Sequence, residues 1–192
     1  MNTRSRNRLR IIGGDWRSRV VVFADIPDLR PTPDRVRETL FNWLQPTLVG
    51  ARCLDLFAGS GVLGFEALSR GAAAVTALEL DPRASAAIRE NVGALHADTF
   101  RLEQRNGLDW LRDNALQQRF DLVFLDPPFA ENLHAECCRL LHEQQWLAPF
   151  ARVYLESGAS LEDIALPDGW QLIRHKRAGA VHYGLAAVQS GL

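Results

Sequence analysis

The sequence predicts an α/β chain built on a doubly wound, mostly parallel sheet. Three observations carry this. From residue 51 onward, apolar strand-like runs alternate with amphipathic helix-like stretches. The first crossover, "DLFAGSGVLG", spaces Gly59, Gly61 and Gly64 as G-x-G-x-x-G, a tight turn that lets a ligand approach a helix N-terminus. Glu79 closes the next apolar run, where sheets of this kind hold a ribose diol.

In chain order, residues 1–8 carry no pattern and are expected to be disordered. "LRIIGG" and "SRVVVF" read as a small β-hairpin around a Gly-Gly-Asp turn. "RPTPDRVRETLFNWLQP" has helix-start chemistry: Thr32 as N-cap, Pro33 at the first helical position and Asp34 in the first turn. Val36, Leu40 and Leu44 repeat every four residues, and Pro46 is expected to end this helix. Strands are then predicted at "ARCLDLF", "AVTALEL", "TFRLEQR", "FDLVFLD" and "ARVYLES". Helices fall between them at "GVLGFEALSRG", "DPRASAAIRENVGAL" (Asp81 as cap, Pro82 first), "GLDWLRDNAL" and "NLHAECCRLLHEQQWL". "WQLIRHKR" and "VHYGLAAVQ" pair antiparallel as a C-terminal hairpin across "AGA". The expected division is an arginine-rich hairpin and helix over residues 1–46 and a sheet domain over 47–192.

Composition narrows the function classes. A chain of 192 residues with 47% hydrophobic and 23% charged residues has the make-up of one ordinary globular domain. No apolar run approaches the ~20 residues of a membrane span, and the arginine-rich start has no apolar core behind it. Cys53, Cys137 and Cys138 give no disulfide or zinc spacing, the histidines form no metal-binding pair, and a reducing cytoplasm is expected. No metal is assigned. Net charge is −1, yet nine arginines fall within residues 1–37 against four acids. Clustered guanidinium forks suit phosphates and guanine edges, so Arg4, Arg6, Arg8, Arg10, Arg17, Arg19, Arg35 and Arg37 are the candidate RNA contacts. Arg174, Lys176 and Arg177 extend that patch if they share its face.

The cofactor choice turns on Asp55, four residues before Gly59. A carboxylate there repels a pyrophosphate and attracts an ammonium group. That favours S-adenosylmethionine, which has an α-amino group, a sulfonium charge and no phosphate, over a nicotinamide dinucleotide. The chemistry is written in "FLDPPF". Proline fixes φ, so Pro127 and Pro128 make a stiff turn with free carbonyls. An exocyclic base amine is a poor nucleophile because its lone pair is delocalised into the ring. Acceptors fixed beside it, the Asp126 carboxylate and the Pro127 carbonyl, favour a more tetrahedral nitrogen and stabilise its developing positive charge. Phe129 can stack on a base that has left its helix.

Together, "RIIGG", "RPTPDRVRETLFNWL", "DLFAGSGVLGFEALSRGA" and "VFLDPPF", in this order, resemble the RsmD family over about residues 9 to 189. The resemblance implies a Rossmann-like class I methyltransferase fold and transfer of a methyl group from S-adenosylmethionine to the N2 amine of a guanine. The substrate it implies is bacterial 16S rRNA, free, in the small subunit or in an assembly intermediate, and the protein is expected to act as a monomer. It also implies Asp126, Pro127, Pro128 and Phe129 as the catalytic turn. Asp55, Phe57, Gly59, Gly61, Glu79, Leu80, Asn106, Gly107 and Asp126 are the expected cofactor contacts. Asn106 is chosen for the adenine edge, with Asp109 as the fallback. Glu156 either faces the site or solvates a strand end, and Tyr183 either lies near the base pocket or, the preferred reading, is a core residue. The rivals are an N6-adenine methylase of DNA or RNA, a protein-amide methylase, a non-catalytic RNA-binding assembly factor and a dinucleotide oxidoreductase.

Overall fold

A computed structural model of the chain describes residues 7–27, 29–113, 118–128 and 132–189. Residues 1–6, which include Arg4 and Arg6, lie outside the described residues, as does Phe129. Asn7 and Arg8 are not disordered: they open strand β1 (Asn7–Arg10), which pairs antiparallel with β2 (Val20–Phe23). Helix α1 (Asp34–Leu48) follows. Strands and helices then alternate: β3 (Arg52–Asp55), α2 (Val62–Ser69), β4 (Ala74–Leu78), α3 (Pro82–Leu95), β5 (Phe100–Glu103), α4 (Gly107–Asp113), β6 (Phe120–Leu125), α5 (His134–Glu143) and β7 (Leu147–Ser157). A 3-10 turn at Leu161–Asp163, β8 (Trp170–Ala178) and β9 (Val181–Val188) complete the chain.

The main sheet has seven strands in the order β5-β4-β3-β6-β7-β9-β8. Strands β3 to β7 run parallel, and β9 lies antiparallel to both β7 and β8. Because the chain leaves β3 toward β4 and returns from β5 to β6, the winding reverses between β3 and β6. A crevice opens at such a reversal, beyond the carboxyl ends of the strands. One face of the sheet is covered by the hairpin, α1, α2 and α3, through Ile11, Val21, Leu40, Phe65 and Ile88. The other is covered by α4 and α5, through Leu111, Leu141 and Trp146.

Three local expectations are corrected. Helix α1 runs past Pro46 to Leu48, because Leu44 and Leu48, at 0% and 2% exposure, continue the apolar stripe that anchors the last turn. Thr32 does not cap α1; the cap position is Pro33, without a side-chain bond, and the Thr32 hydroxyl donates instead to Glu156 at 3.2 Å. The helix expected over 132–147 ends at Glu143, and Gln145 at φ +57 turns the chain into a longer β7. The α3 start matches its reading: Asp81 accepts from Arg83 N and Ala84 N ahead of Pro82.

The hairpin is fastened to the sheet domain by buried polar contacts. Asn91 on α3 accepts from Val22 N at 3.0 Å and donates to Val22 O at 2.7 Å, completing a strand edge with a side-chain amide. Ile12 N donates to Glu66 at 2.6 Å, and Trp16 N to the Ser69 hydroxyl at 2.9 Å.

Candidate active site

The site forms where β3, β4, β6 and β7 end. β3 brings Asp55 to the reversal, in register with Phe124 on β6. Asp55 is 2% exposed. Burial lifts its pKa to about 7, against a hydrogen bond from the Phe57 N–H and with the Glu79 charge adding to the rise. The chain beyond it makes the glycine turn. Gly59 (φ +52) and Gly61 (φ +74) adopt left-handed conformations that suit glycine, and Gly61 caps α2.

Glu79, just past β4, ties this turn down. Its two oxygens accept from Gly59 N and Asp81 N, each at 2.7 Å. Burial raises its pKa, while these backbone donors work against the rise. Each carboxylate oxygen retains a lone pair for a diol. Leu80 beside it is an exposed apolar residue, at 62%. Phe57 is half-buried against the α4–α5 core. Asn106 caps α4, its Oδ1 accepting from Leu108 N at 2.9 Å and Asp109 N at 3.2 Å, so its amide N–H₂ is the end left to donate. The Asp109 carboxylate pairs with Arg112 on the exposed side of α4. At Gly107 a Cβ would lie 2.5 Å from Leu56 O, so glycine lets α4 press on the chain leaving β3.

β6 delivers the proline turn. Asp126 is half-buried, Pro127 buried and Pro128 exposed. Burial first, and then the charges of Glu156 and Asp55, push the Asp126 pKa well above the carboxylate range. Leu125 pairs with Leu155 in the parallel register, so Asp126 and Glu156 are neighbours on adjacent strand ends, on the sheet face that also carries Phe124 and Tyr154. Glu156 therefore faces the site and does not solvate a strand end: it is 4% exposed and accepts from the Tyr154 hydroxyl at 2.7 Å. His134, which burial keeps neutral, bonds the Glu156 carbonyl at 2.8 Å. Thr32, Tyr154 and His134 thus gather around Glu156; the sequence marks Thr32 only as a helix cap and does not single out the other two. Tyr183 is 3% exposed and stacks on Trp43, centroids 5.7 Å apart.

The arginine cluster divides. Arg37 is removed from the candidate RNA surface: it is 0% exposed, with its guanidinium on Glu66 at 2.7 Å, Asp34 at 2.5 Å, Arg10 O and Thr32 O. Arg19 turns its guanidinium to the Ala94 and Leu95 carbonyls at the end of α3. Arg8, Arg10, Arg17 and Arg35 are exposed. Lys176 lies 5.9 Å over the Trp43 ring of α1, and its register with Tyr183 puts it on the α1 side of the sheet. A groove of about 520 Å³ between α5 and residues 165–167 is lined by none of these residues.

The sequence profile of the family described as "Conserved hypothetical protein 95" matches residues 9–187. Ribosomal RNA small subunit methyltransferase D of Escherichia coli K12 is 46% identical over 178 residues, 93% of this chain and 89% of that protein. The chain belongs to this family, the RsmD family. The RsmD-family protein of the same name from Haemophilus influenzae is 44% identical over 183 residues, 94% of each chain. Among solved structures, "Putative methyltransferase yhhF from Escherichia coli" superposes with a TM-score of 0.86 at 44% identity, covering 96% of this chain and all of that one. The Rossmann-like class I methyltransferase fold expected from the sequence is therefore the fold observed.

Proposed function

We propose that this protein transfers a methyl group from S-adenosylmethionine to the exocyclic N2 amine of a guanine in small-subunit ribosomal RNA. Asp126 and Pro127 at the end of β6, beside the β3/β6 reversal, are the observation that carries the reading. Identity of 46% to a protein named Ribosomal RNA small subunit methyltransferase D supports the reaction and the RNA class. S-adenosylmethionine binds in the crevice with its ammonium toward Asp55, its ribose on Glu79 and its adenine between the Leu80 side and the Asn106 amide. The target base leaves its stack and enters beside the proline turn, and Phe129, next in the sequence, is the aromatic ring proposed to stack on it.

The N2 lone pair then attacks the methyl carbon in line as the carbon–sulfur bond breaks. The sulfonium becomes a neutral thioether, and the methylated nitrogen sheds one proton. Asp126 and the Pro127 carbonyl hold the amine's hydrogens, and an Asp126 whose proton affinity is raised by burial suits it to take that proton. Alignment supplies much of the rate, up to ~7–11 kcal/mol in favourable cases. The enzyme works as a cytoplasmic monomer on small subunits or their assembly intermediates. A labelled-methyl assay offering naked rRNA, small subunits, genomic DNA and total protein tests the reading: label should enter the ribosomal RNA. Label entering DNA or protein instead would refute it.

A further inference from the structure

Glu156 is built into the site more elaborately than a strand end requires. Its Oε2 accepts both the Tyr154 hydroxyl, at 2.7 Å, and the Thr32 hydroxyl, at 3.2 Å. Among the described residues its Oε1 has no hydrogen-bond partner. By register Glu156 stands beside Asp126 on the same sheet face, and its charge is the largest acting on the Asp126 carboxyl. Burial raises the Glu156 pKa, the two hydroxyl donors on Oε2 work against that rise, and Oε1 is left as an acceptor next to Asp126.

We infer that Glu156 is the residue that selects guanine, its Oε1 accepting the ring N1–H of the base whose N2 amine lies against Asp126. This rests on the guanine-N2 reading above. Guanine presents N1–H and N2–H₂ as adjacent donors, the complement of two neighbouring carboxylates. Adenine presents its amine beside an N1 lone pair, which a carboxylate repels and leaves unpaired. The proline turn recognises an amine of any base, and Glu156 distinguishes which ring carries it. Thr32, held at its carbonyl by Arg37, is a positioning residue for this carboxylate.

2-Aminopurine separates amine from ring: it keeps the C2 amine and has an unprotonated N1. The methylated guanine is first mapped with the wild-type enzyme on unmethylated small-subunit RNA. It is then replaced in that RNA by 2-aminopurine or adenine, and kcat/KM is measured for each. Wild type should favour guanine over 2-aminopurine. In Glu156→Gln the two hydroxyls can donate to the amide oxygen, which turns its N–H₂ toward N1. The guanine:2-aminopurine ratio should then fall by about 10-fold to 100-fold, with S-adenosylmethionine affinity retained. An unchanged ratio, with guanine still methylated at N2, overturns the inference alone. Wild-type methylation of adenine and not of guanine overturns it together with the reading beneath it. If Glu156→Gln loses cofactor binding, Thr32→Val carries the test: guanine turnover must fall more than 2-aminopurine turnover, and an equal fall overturns the assignment.

Discussion

A buried carboxylate that must bind a cation is a pH-dependent binding site. Asp55 is almost wholly enclosed, and its pKa of about 7 means that near neutrality it is partly protonated in the free protein. An ammonium group prefers the ionised form, so with the cofactor ammonium on Asp55, as proposed, binding expels a proton. Affinity for S-adenosylmethionine should therefore rise as pH increases from 5.5 toward 7.5, approaching tenfold per pH unit at its steepest, and then level off. The Asp55→Asn variant should bind more weakly and show a flattened profile over the same range. Calorimetric titrations of both proteins across that window check this, and a wild-type affinity independent of pH would place the ammonium elsewhere. The sign follows from the raised pKa, because the proton lost near pH 7 in the folded protein is one that an exposed aspartate would already have released.

Among the elements, α1 joins the hairpin to the site. Arg37 donates to Glu66 on α2, to the Arg10 carbonyl of β1 and to Thr32, whose hydroxyl reaches Glu156. Removing one partner of a buried ion pair typically costs about 3–5 kcal/mol. Arg37→Ala should cost about 3 kcal/mol, toward the low end, because Glu66 keeps Arg70 at 3.1 Å and the Ile12 N–H. Urea unfolding measures this, and a loss below about 1 kcal/mol would show the network to be dispensable. This network was also the least legible part of the sequence. The strand–helix alternation, the glycine turn, the Asp81 cap and the C-terminal hairpin could be read because each is local, fixed by periodicity or by residues a few positions apart. Arg37 reads from sequence as an RNA contact because an arginine's type does not reveal an acid that tertiary folding sets against it from 29 residues away. Thr32 looked like a cap for the same reason, its partner Glu156 lying 124 residues on.

For the molecule as a whole, a net charge of −1 offers a polyanion little general attraction, so RNA must meet a local patch. Arg8, Arg10, Arg17 and Arg35 are exposed on the hairpin and α1, while Arg37 and Arg19 are committed to protein partners. Deleting the hairpin would confound any test, since Ile11 and Val21 are core residues at 1% and 0% exposure. Charge removal is cleaner. Arg8→Ala, Arg17→Ala and Arg35→Ala should each lower the salt slope of RNA binding by roughly one unit and leave cofactor affinity unchanged, whereas Arg19→Ala should leave the slope nearly as it was. Equal slopes for all four variants and wild type, from filter binding across a salt series, would move the RNA surface away from the hairpin.

In the proposed reaction the crevice at β3 and β6 methylates the N2 of guanine, and Asp126 is the group that activates the amine. Nucleoside analysis by mass spectrometry addresses it most directly. Small-subunit RNA lacking the modification is incubated with S-adenosylmethionine and either wild-type protein or Asp126→Ala, then digested to single nucleosides. The expected result is one new species, N2-methylguanosine, with wild type and none with Asp126→Ala, although the variant still binds the cofactor within a few-fold. N6-methyladenosine in its place would rule out guanine N2 as the target, and N2-methylguanosine formed equally well by Asp126→Ala would rule out Asp126 as the activating group.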